Sequence, residues 1–474
     1  MPSLRHRRHL NHPVLAQANT TYFYLAPFNR PTISSLSLQD HLNPKQTRKI
    51  IPIPPQFFLK KMVNSQYAAQ LSTWIDDHFD DEIAFLQQIV RVPTDTPPGN
   101  NAPHAELVAE LLTAMGWEVE KHSVPVETVR DYGMESITNL IVRRHYGAAG
   151  PTIALNAHGD VVPPGDGWSK APYGGEIADG RIFGRATAVS KGDFATYVFA
   201  VRALEALGIP LKGTLECHFT YDEEFGGLLG PAWLLENQLT KPDFVIAPGF
   251  SYNIVTAHNA CLQFEITVLG KATHGSAPDT GHDALQAATA ILQAIYAALP
   301  TLKTITSAIP GITHPTMIVG RIEGGTNTNV VPGKVILKMD RRMIPEEDPA
   351  QVETDVRALI EAAIAGLPGI RVEIKRLLLA RALRPLPGHE KLLNSLQKNA
   401  EAVFGEPITS DGSALYTDAR LYGEQGIPVV LYGAGPRTLG ESNAKQADEN
   451  LALEDLRRAT KVVSMTLLDF LQAS

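Results

Sequence analysis

The sequence predicts an α/β protein in which a largely parallel sheet is interrupted by a smaller α+β unit. From Met62 onward, short apolar runs alternate with amphipathic helical segments, a pattern typical of a parallel sheet covered on both faces. Several of the apolar runs end in polar or glycine-rich loops. Between residues 258 and 377 the order changes to β-α-β-β-α-β, which predicts an inserted ferredoxin-like unit.

The first 61 residues differ in composition from the rest of the 474-residue chain. They contain nine Lys/Arg and one acid, Asp40, are rich in proline and show no helical periodicity. We interpret residues 1–61 as a disordered leader, or as an upstream extension before a translation start at Met62 rather than Met1. The same composition also permits an organellar transit peptide, which is the alternative.

Residues 62–257 and 378–474 form the two parts of the predicted parallel-sheet domain. Helices are predicted at His104–Met115 and Asp193–Leu207, because Gly116 and Gly208 follow them, and a last helix at Leu453–Leu471. Ligands bind outside the carboxyl ends of the strands in open α/β sheets. The expected site is therefore where four apolar runs end: TIALNAHGD (152–160), TLECHFTYDEE (214–224), DFVIAPGF (243–250) and IPVVLYGAG (427–435).

The inserted unit, residues 258–377, is predicted from alternating strand and helix patterns. Its strands begin near LQFEITVLG (262–270), and two amphipathic segments, 283–299 and 349–365, predict its helices. The remaining strands are MIVGRIEGG (317–325), KVILKMDRR (334–342) and RVEIKRLLL (371–379).

Composition excludes several classes of partner. No apolar run approaches the roughly 20 residues that span a bilayer, so we expect no membrane partner. The net charge is −8 although the leader carries +8, which leaves −16 on the rest of the chain and argues against nucleic acid. Cys217 and Cys261 stand far apart and outside any metal spacing, which indicates buried thiols in a reducing compartment. We therefore expect a cytoplasmic protein.

Two polar clusters follow predicted strands and carry groups that move protons or bind metals. Asp160 can orient the imidazole of His158 through its other ring nitrogen, although a role in a turn is an equal alternative. Asp222, Glu223 and Glu224 repel one another unless a cation or a proton lies among them; a solvated acidic loop is the alternative. One Glu beside a bound water would be a natural general base.

The inserted unit contributes three further candidates. His274, in GKATHGSAP, lies where a strand meets a loop, and a surface histidine is the alternative interpretation. Asn329 and Arg342 lie within GGTNTNVVPGKVILKMDRR. Arg342 can bind a substrate carboxylate through two parallel hydrogen bonds, or it can form a surface ion pair with Asp340.

Six ordered segments from about residue 70 to the end of the chain resemble a known enzyme family. The family is that of the aminoacylases, acetylornithine deacetylases, succinyl-diaminopimelate desuccinylases and glutamate carboxypeptidases. The resemblance implies a catalytic domain split by an inserted lid and dimerisation domain, and a zinc pair that hydrolyses an amide next to a carboxylate. The segments are HGDVVPPGDGW, DGRIFGRATAVSKGD, TYDEEFGG, GKATHGSAP, GGTNTNVVPG and YGAGP.

The resemblance implies a role for each matched residue. His158 matches a ligand of one zinc and Asp160 its supporting carboxylate, while Glu223 matches the general base and Glu224 a ligand of the other zinc. In the inserted domain, His274 matches the histidine that reaches a neighbouring subunit's site to stabilise the oxyanion. Asn329 and Arg342 match residues of the family that lie near the substrate carboxylate.

Three ligand positions of the family are changed in this chain. Val189 stands where the family has its metal-bridging aspartate, Gly249 where an acid follows the strand, and Lys445 where a histidine binds metal. Each zinc would keep one protein ligand, whereas catalytic zinc normally has three. We therefore expect zinc or another divalent metal to be bound weakly or lost.

Three other side chains are candidates for substitute metal ligands. Asp193 precedes a helix and is interpreted as its N-cap, His218 as a core residue within a strand, and His258 as a residue that can face the cleft. A shifted site with one metal, formed by His158, Glu224 and one of these three, remains an alternative.

The sequence supports two main functional hypotheses. The first is an amidohydrolase that acts on a small N-acyl amino acid or dipeptide-like carboxylate, with Glu223 as base and altered metal dependence. The second is a non-catalytic ligand-binding protein on the same fold. A further alternative is a metal-free lyase-type enzyme that uses Lys445, whose ammonium would lie among the carboxylates that held the metals. The resemblance implies a homodimer through the inserted domain.

Overall fold

The computed structural model describes residues 55–473, with side chains from Ser65 onward. The chain divides into two units, residues 1–57 and 58–474, and everything below concerns the second. The interpretation of residues 1–54 as a leader lies outside the described residues. Residues 55–61, assigned from the sequence to an irregular leader, belong to the first helix, so that part of the prediction is wrong.

The described residues form twelve helices. The predicted helices at 104–115 and 193–207 begin two residues earlier than expected, and the last helix has the predicted bounds. Asp283 and Asp348 cap the two helices of the inserted unit by accepting hydrogen bonds from their first amides. The helices are α1 (Pro55–Asp77), α2 (Phe79–Val90), α3 (Ala102–Ala114), α4 (Val126–Asp131), α5 (Lys191–Ala206), α6 (Pro231–Glu236), α7 (Ala284–Leu302), α8 (Pro349–Ile364), α9 (His389–Phe404), α10 (Ala419–Glu424), α11 (Leu439–Ser442) and α12 (Leu453–Leu471).

Seventeen strands lie in the described part of the chain. They are β1 (Glu120–Ser123), β2 (Thr138–Gly147), β3 (Thr152–His158), β4 (Glu176–Ala178), β5 (Arg181–Phe183), β6 (Gly213–Thr220), β7 (Phe244–Ala247), β8 (Asn253–His258), β9 (Ala260–Leu269), β10 (Thr273–His274), β11 (Thr316–Gly324), β12 (Val330–Val331), β13 (Lys334–Met343), β14 (Arg371–Ala380), β15 (Thr409–Ser413), β16 (Val429–Leu431) and β17 (Asn450–Ala452).

The large sheet has eight strands in the order β1-β2-β6-β3-β7-β16-β8-β15. Its central strands β6, β3, β7 and β16 are parallel, while β1, β2 and the β16–β8 pair introduce antiparallel neighbours. Helix α5 packs with α2 and α12, and α6 packs with α10. The predicted α/β class with a largely parallel sheet is confirmed.

The inserted unit is a four-stranded antiparallel sheet with two helices. Its strand order, β11-β13-β9-β14, with α7 and α8 as connections, is the ferredoxin-like arrangement predicted from the sequence. The strands run from Ala260 to Ala380, whereas β8, which ends at His258, belongs to the large sheet.

Helix α7 is long and apolar enough to cross a membrane, with 19 residues and a mean hydropathy of 1.3. The expectation that no apolar run approaches this length is therefore wrong. One such helix is weak evidence for a membrane span, because core helices pass the same test. In α7 the buried side chains lie against the four-stranded sheet: Ala284, Ala287, Ala288, Ile291 and Ile295.

Candidate active site

Neighbouring parallel strands bring two of the predicted polar clusters together. His158, the last residue of β3, pairs with Thr220, the last residue of β6. The chain after β6 turns immediately into a short 3-10 helix that begins with Glu223 and Glu224. Because β3 and β6 are parallel, both clusters lie at the same edge of the sheet.

Asp160 fixes the relative positions of both clusters. Its side chain is fully buried, and its carboxylate accepts hydrogen bonds from the backbone amides of Glu223 (3.2 Å) and Glu224 (3.0 Å). The Nδ1 atom of His158 lies 3.0 Å from the Asp160 carbonyl oxygen and 3.4 Å from its carboxylate. A single acid therefore orients the imidazole and anchors the acidic turn.

His158 and Glu223 form a buried pair of opposite charge. The Nε2 atom of His158 lies 3.9 Å from a carboxylate oxygen of Glu223, and both residues are buried. Burial lowers the pKa of His158, but the carboxylates of Glu223 and Asp160 outweigh burial and raise it to about 10. The imidazole is therefore positively charged at neutral pH.

Lys445 contacts the second glutamate of the acidic turn. Its Nζ lies 2.7 Å from a carboxylate oxygen of Glu224, whose side chain is only 7% exposed, while the longer lysine side chain is 47% exposed. Burial opposes the charge of Lys445, but Glu224 and Glu223 raise its pKa to about 12. For Glu224, burial is the largest influence and raises the pKa to about 7 despite the ammonium. We conclude that the lysine is charged at neutral pH and offsets part of the cost of burying Glu224.

A buried ion pair holds the loop around Val189 against the segment that carries Lys445. The guanidinium of Arg185 lies 2.6 Å from Glu449, and the two side chains are 2% and 1% exposed. The carboxylate of Glu449 also accepts hydrogen bonds from the amides of Ala188 (3.2 Å) and Lys445 (3.2 Å). Glu449 therefore joins the two loops that carry substituted ligand positions.

Gly249 leaves no space for an acidic side chain. A Cβ at this position would lie 2.6 Å from the carbonyl carbon of Leu431 and 2.7 Å from the amide nitrogen of Tyr432. Real Cβ atoms do not approach backbone atoms this closely, so the backbone would have to move before an acid could stand here.

The side chains present do not fit a catalytic zinc site. Within residues 65–473 no three His, Cys, Asp or Glu side chains are grouped so that they could hold a metal ion. Of the family's positions, Val189 and Gly249 offer no ligand atom from their side chains, and Lys445 places an ammonium against Glu224.

The three candidates for substitute metal ligands make other contacts. Asp193 is not the N-cap of α5: the cap is Ser190, and Asp193 lies in the first turn, where its carboxylate accepts a hydrogen bond from the Ala434 amide (2.8 Å). Burial raises the pKa of Asp193 to about 7. His218 is a core residue bound to the Tyr422 hydroxyl and to Glu216.

His258 also lies away from the site. It is fully buried, and its Nδ1 lies 2.9 Å from the carbonyl oxygen of Asn259. It does not line the cavity described below, so the expectation that it can face the cleft is wrong.

The candidates of the inserted unit separate in space. Arg342 lines the cavity beside the acidic turn, with Nε 2.8 Å from Asp340 and its guanidinium carbon 5.0 Å from the centre of the Tyr416 ring. His274, the last residue of β10, and Asn329, in the turn before β12, are exposed, and the amide of Gly275 donates to the Asn329 carbonyl (2.7 Å). Among the described residues, only Arg342 of these three reaches the cavity.

A cavity of about 270 Å³ lies at this edge of the sheet. Its lining includes the charged residues His158, Glu223, Lys445 and Arg342, the buried acid Asp193, and the substituted positions Val189 and Gly249.

Sequence reasoning missed Asp418, a buried acid that also lines the cavity. Burial, reinforced by Glu223, raises its pKa well above the ordinary value for aspartate. A single acid in the irregular segment between β15 and α10 gives little signal in the sequence.

Comparison with known proteins identifies relatives along most of the chain. A profile for Peptidase family M20/M25/M40 matches residues 154–469. The succinyl-diaminopimelate desuccinylase of Rhodospirillum rubrum is 26% identical over 418 residues, covering 83% of this chain and 99% of that protein. The acetylornithine deacetylase of Myxococcus xanthus is 28% identical over 391 residues, covering 82% and 97%.

Solved structures share the fold at lower identity. A di-peptidase from Saccharomyces cerevisiae superposes with a TM-score of 0.73 at 15% identity, covering 85% of this chain and 98% of that chain. An M20 family metallo-carboxypeptidase from Sulfolobus solfataricus gives 0.67 at 19% identity, covering 81% and 98%.

Proposed function

Because the chain belongs to Peptidase family M20/M25/M40, we propose that it hydrolyses the amide bond of a small N-acyl amino acid or dipeptide-like carboxylate. It is an enzyme of the amidohydrolase type, as its relatives named deacylases indicate. The observation that carries the finer proposal is the placement of buried Glu223 beside two cations, His158 and Lys445, in a cavity that also contains Arg342.

Glu223 is the general base in this proposal. Its carboxylate accepts a proton from a water molecule whose oxygen attacks the carbonyl carbon of the amide. The same proton then passes to the amide nitrogen as the C–N bond breaks, which yields a carboxylic acid and an amine. The Nε2 atom of His158 lies 3.9 Å from the Glu223 carboxylate, on which this step depends.

Lys445 stabilises the developing oxyanion. One of its three N–H donors is engaged by Glu224, which leaves two for the carbonyl oxygen of the substrate. A cation fixed beside the reacting carbonyl stabilises charge that appears in the transition state. Arg342 binds the substrate carboxylate through its terminal nitrogens, since its Nε is held by Asp340.

We further propose that hydrolysis by this chain does not require zinc. The contact between Lys445 and Glu224 and the closed space at Gly249 support this proposal.

A homodimer through the inserted domain is also proposed. Strand β11 is an edge of its sheet, and large apolar side chains are exposed on β11 and α7: Ile318 (57%), Ile322 (52%) and Tyr296 (54%). Exposed apolar groups on a sheet edge and a neighbouring helix favour association between copies.

Purified full-length protein should be assayed with a panel of N-acyl amino acids and dipeptides, together with its metal content and the effect of a chelator. We expect hydrolysis that persists without bound metal. Glu223→Gln should lower turnover at least about a hundredfold, whereas Glu236→Gln, a change of an exposed glutamate, should not. Stoichiometric zinc with chelator-sensitive turnover would overturn the metal-free proposal, and no hydrolysis of any panel member would overturn the substrate class.

A further inference from the structure

Apolar side chains from several elements line part of the cavity and form an apolar wall. The segments after β7 and β16 are held together, because the amide of Tyr432 donates to the Ala247 carbonyl (2.9 Å) and that of Gly435 to the Gly249 carbonyl (2.9 Å). Phe250 forms an isolated bridge with Gly435. The wall thus formed presents Phe250 and Leu431 to the cavity.

Residues from other elements extend this wall toward the opening of the cavity. Val189 contributes from the loop before α5, Leu415 from the segment after β15 and Leu439 from the start of α11. Leu415 is 37% exposed and Leu439 41% exposed, so both present apolar surface to water. Apolar side chains that share one cavity and remain exposed indicate a surface covered by an apolar ligand.

Val189 and Gly249, two positions where the resemblance implies metal ligands, form part of this wall. Val189 places an apolar side chain where the resemblance implies an aspartate, and Ser190 holds that loop against β3 through its hydroxyl, 3.1 Å from the His158 amide. At Gly249 an added Cβ would lie 2.6 Å from the Leu431 carbonyl carbon. The backbone of Gly249 and the side chain of Leu431 therefore form this part of the wall.

The cavity volume indicates how large a group the cavity can enclose. A cavity of about 150 Å³ lined by apolar side chains holds benzene. At about 270 Å³, this cavity holds a group of about ten non-hydrogen atoms by the same proportion. If a carboxylate or amide of the ligand lies beside the charged residues, the rest of the enclosed ligand is a hydrocarbon group of about six to eight carbons that contacts the wall.

We propose that the wall formed by Val189, Phe250, Leu415, Leu431 and Leu439 is an apolar subsite that binds the hydrocarbon part of the substrate. The ligand is amphipathic, with a carboxylate or amide beside His158 and Lys445 and an unbranched or aromatic group against the wall. The inference rests on the proposed function only for the placement of the amide.

Straight-chain carboxylates test the subsite without any need for turnover. Binding of acetate, butanoate, hexanoate, octanoate and decanoate to the full-length protein should be measured by titration calorimetry. The dissociation constant should fall about fourfold for each added methylene, because each buried methylene is stabilised by hydrophobic transfer. The gain should stop near octanoate, when the cavity is full.

Two variants test whether the dependence of binding on chain length arises at the apolar wall. Leu415→Ser should raise the dissociation constant of octanoate about tenfold and leave acetate unchanged, and Val189→Asn should act in the same direction. Leu377→Ser, which alters a leucine that is 42% exposed in β14 and outside the cavity, is the matched control. Leu415 is exposed, so its replacement removes little from the core.

Equal dissociation constants for butanoate and octanoate would overturn the subsite, as would an equal effect of Leu415→Ser and Leu377→Ser on octanoate. Failure of the proposed hydrolysis gives a different result. In that case no N-acyl substrate turns over, while the dependence of binding on chain length persists.

Discussion

The buried pair of Arg185 and Glu449 should dominate the stability of the region around the site. Removal of one partner from a buried ion pair costs about 3–5 kcal/mol, because the other charge is left without compensation. Glu449→Leu leaves the guanidinium with the Pro164 carbonyl (2.9 Å) and the face of Trp168, which do not neutralise its charge. We therefore expect this variant to lose about 4 kcal/mol of unfolding free energy.

Arg185→Met should be less damaging. The carboxylate that remains still accepts hydrogen bonds from the amides of Ala188 and Lys445, so we expect a loss of about 3 kcal/mol. Burial already raises the pKa of Glu449 and Arg185 opposes that rise. Without the arginine the carboxyl group protonates more readily, so the loss should be smaller at pH 5 than at pH 7.

Urea unfolding followed by tryptophan fluorescence measures these losses. The double variant Arg185→Met, Glu449→Leu is the control, because it removes both charges. Its loss of unfolding free energy should be smaller than the sum of the losses in the two single variants. If each single variant lies within about 1 kcal/mol of the original protein, or if the two losses simply add, the pair does not hold the loops as argued.

Three other predictions follow from individual contacts. Lys445→Met should lower turnover about a hundredfold, and Lys445→Arg less, in an assay with an N-acyl substrate; unchanged turnover in the Met variant would contradict the role of the cation. Glu82 accepts a hydrogen bond from Thr460, and burial raises its pKa to about 8. Between pH 4.5 and about 8 the folded state therefore holds a proton that the unfolded state has lost, so stability falls as pH rises. Glu82→Gln should therefore be on the order of 3 kcal/mol more stable at pH 7 than the original protein and show a flatter dependence of the urea midpoint on pH; equal pH dependence would refute this. Gly249→Ala should lose about 1–3 kcal/mol through contact with the backbone of Leu431, whereas Gly440→Ala, with no atom within 4 Å of the added Cβ, should unfold at nearly the same urea concentration.

Hydrophobic periodicity and helix-stop residues predict most of the fold. The last helix, the two helices stopped by Gly116 and Gly208, and the order of the inserted unit follow from patterns local in sequence. The start of α5 was misplaced because Asp193 is a good N-cap residue. Whether its carboxylate caps the helix or accepts from Ala434, 241 residues away, depends on tertiary contacts that local patterns do not contain.

The candidate site was predictable where strand ends carry paired polar groups. His158 and Glu223 lie at adjacent strand ends, so the parallel sheet itself brings them together. Asp418 gave no such signal, because it lies in a segment whose position is set by the packing of α10. The exposure of His274 and its distance from the cavity likewise depend on how the inserted unit is placed relative to the large sheet.

The three substituted ligand positions are best understood together, as changes in the charge of one site. In the pattern that the chain resembles, a bridging aspartate, a second acid and a histidine surround two divalent cations. Replacement of the acids by Val189 and Gly249 removes two negative charges, and Lys445 adds one positive charge where the histidine was neutral. Under the metal-free proposal, these three changes would nearly balance the four positive charges of the two metals, while Asp160, Glu223 and Glu224 remain. Reversal of Val189 alone would return a carboxylate to a cavity whose cations already contact acids, Lys445 with Glu224 and Arg342 with Asp340. Under the metal-free proposal, the ammonium of Lys445 replaces part of the positive charge of the metals, and it does so at its 2.7 Å contact with Glu224.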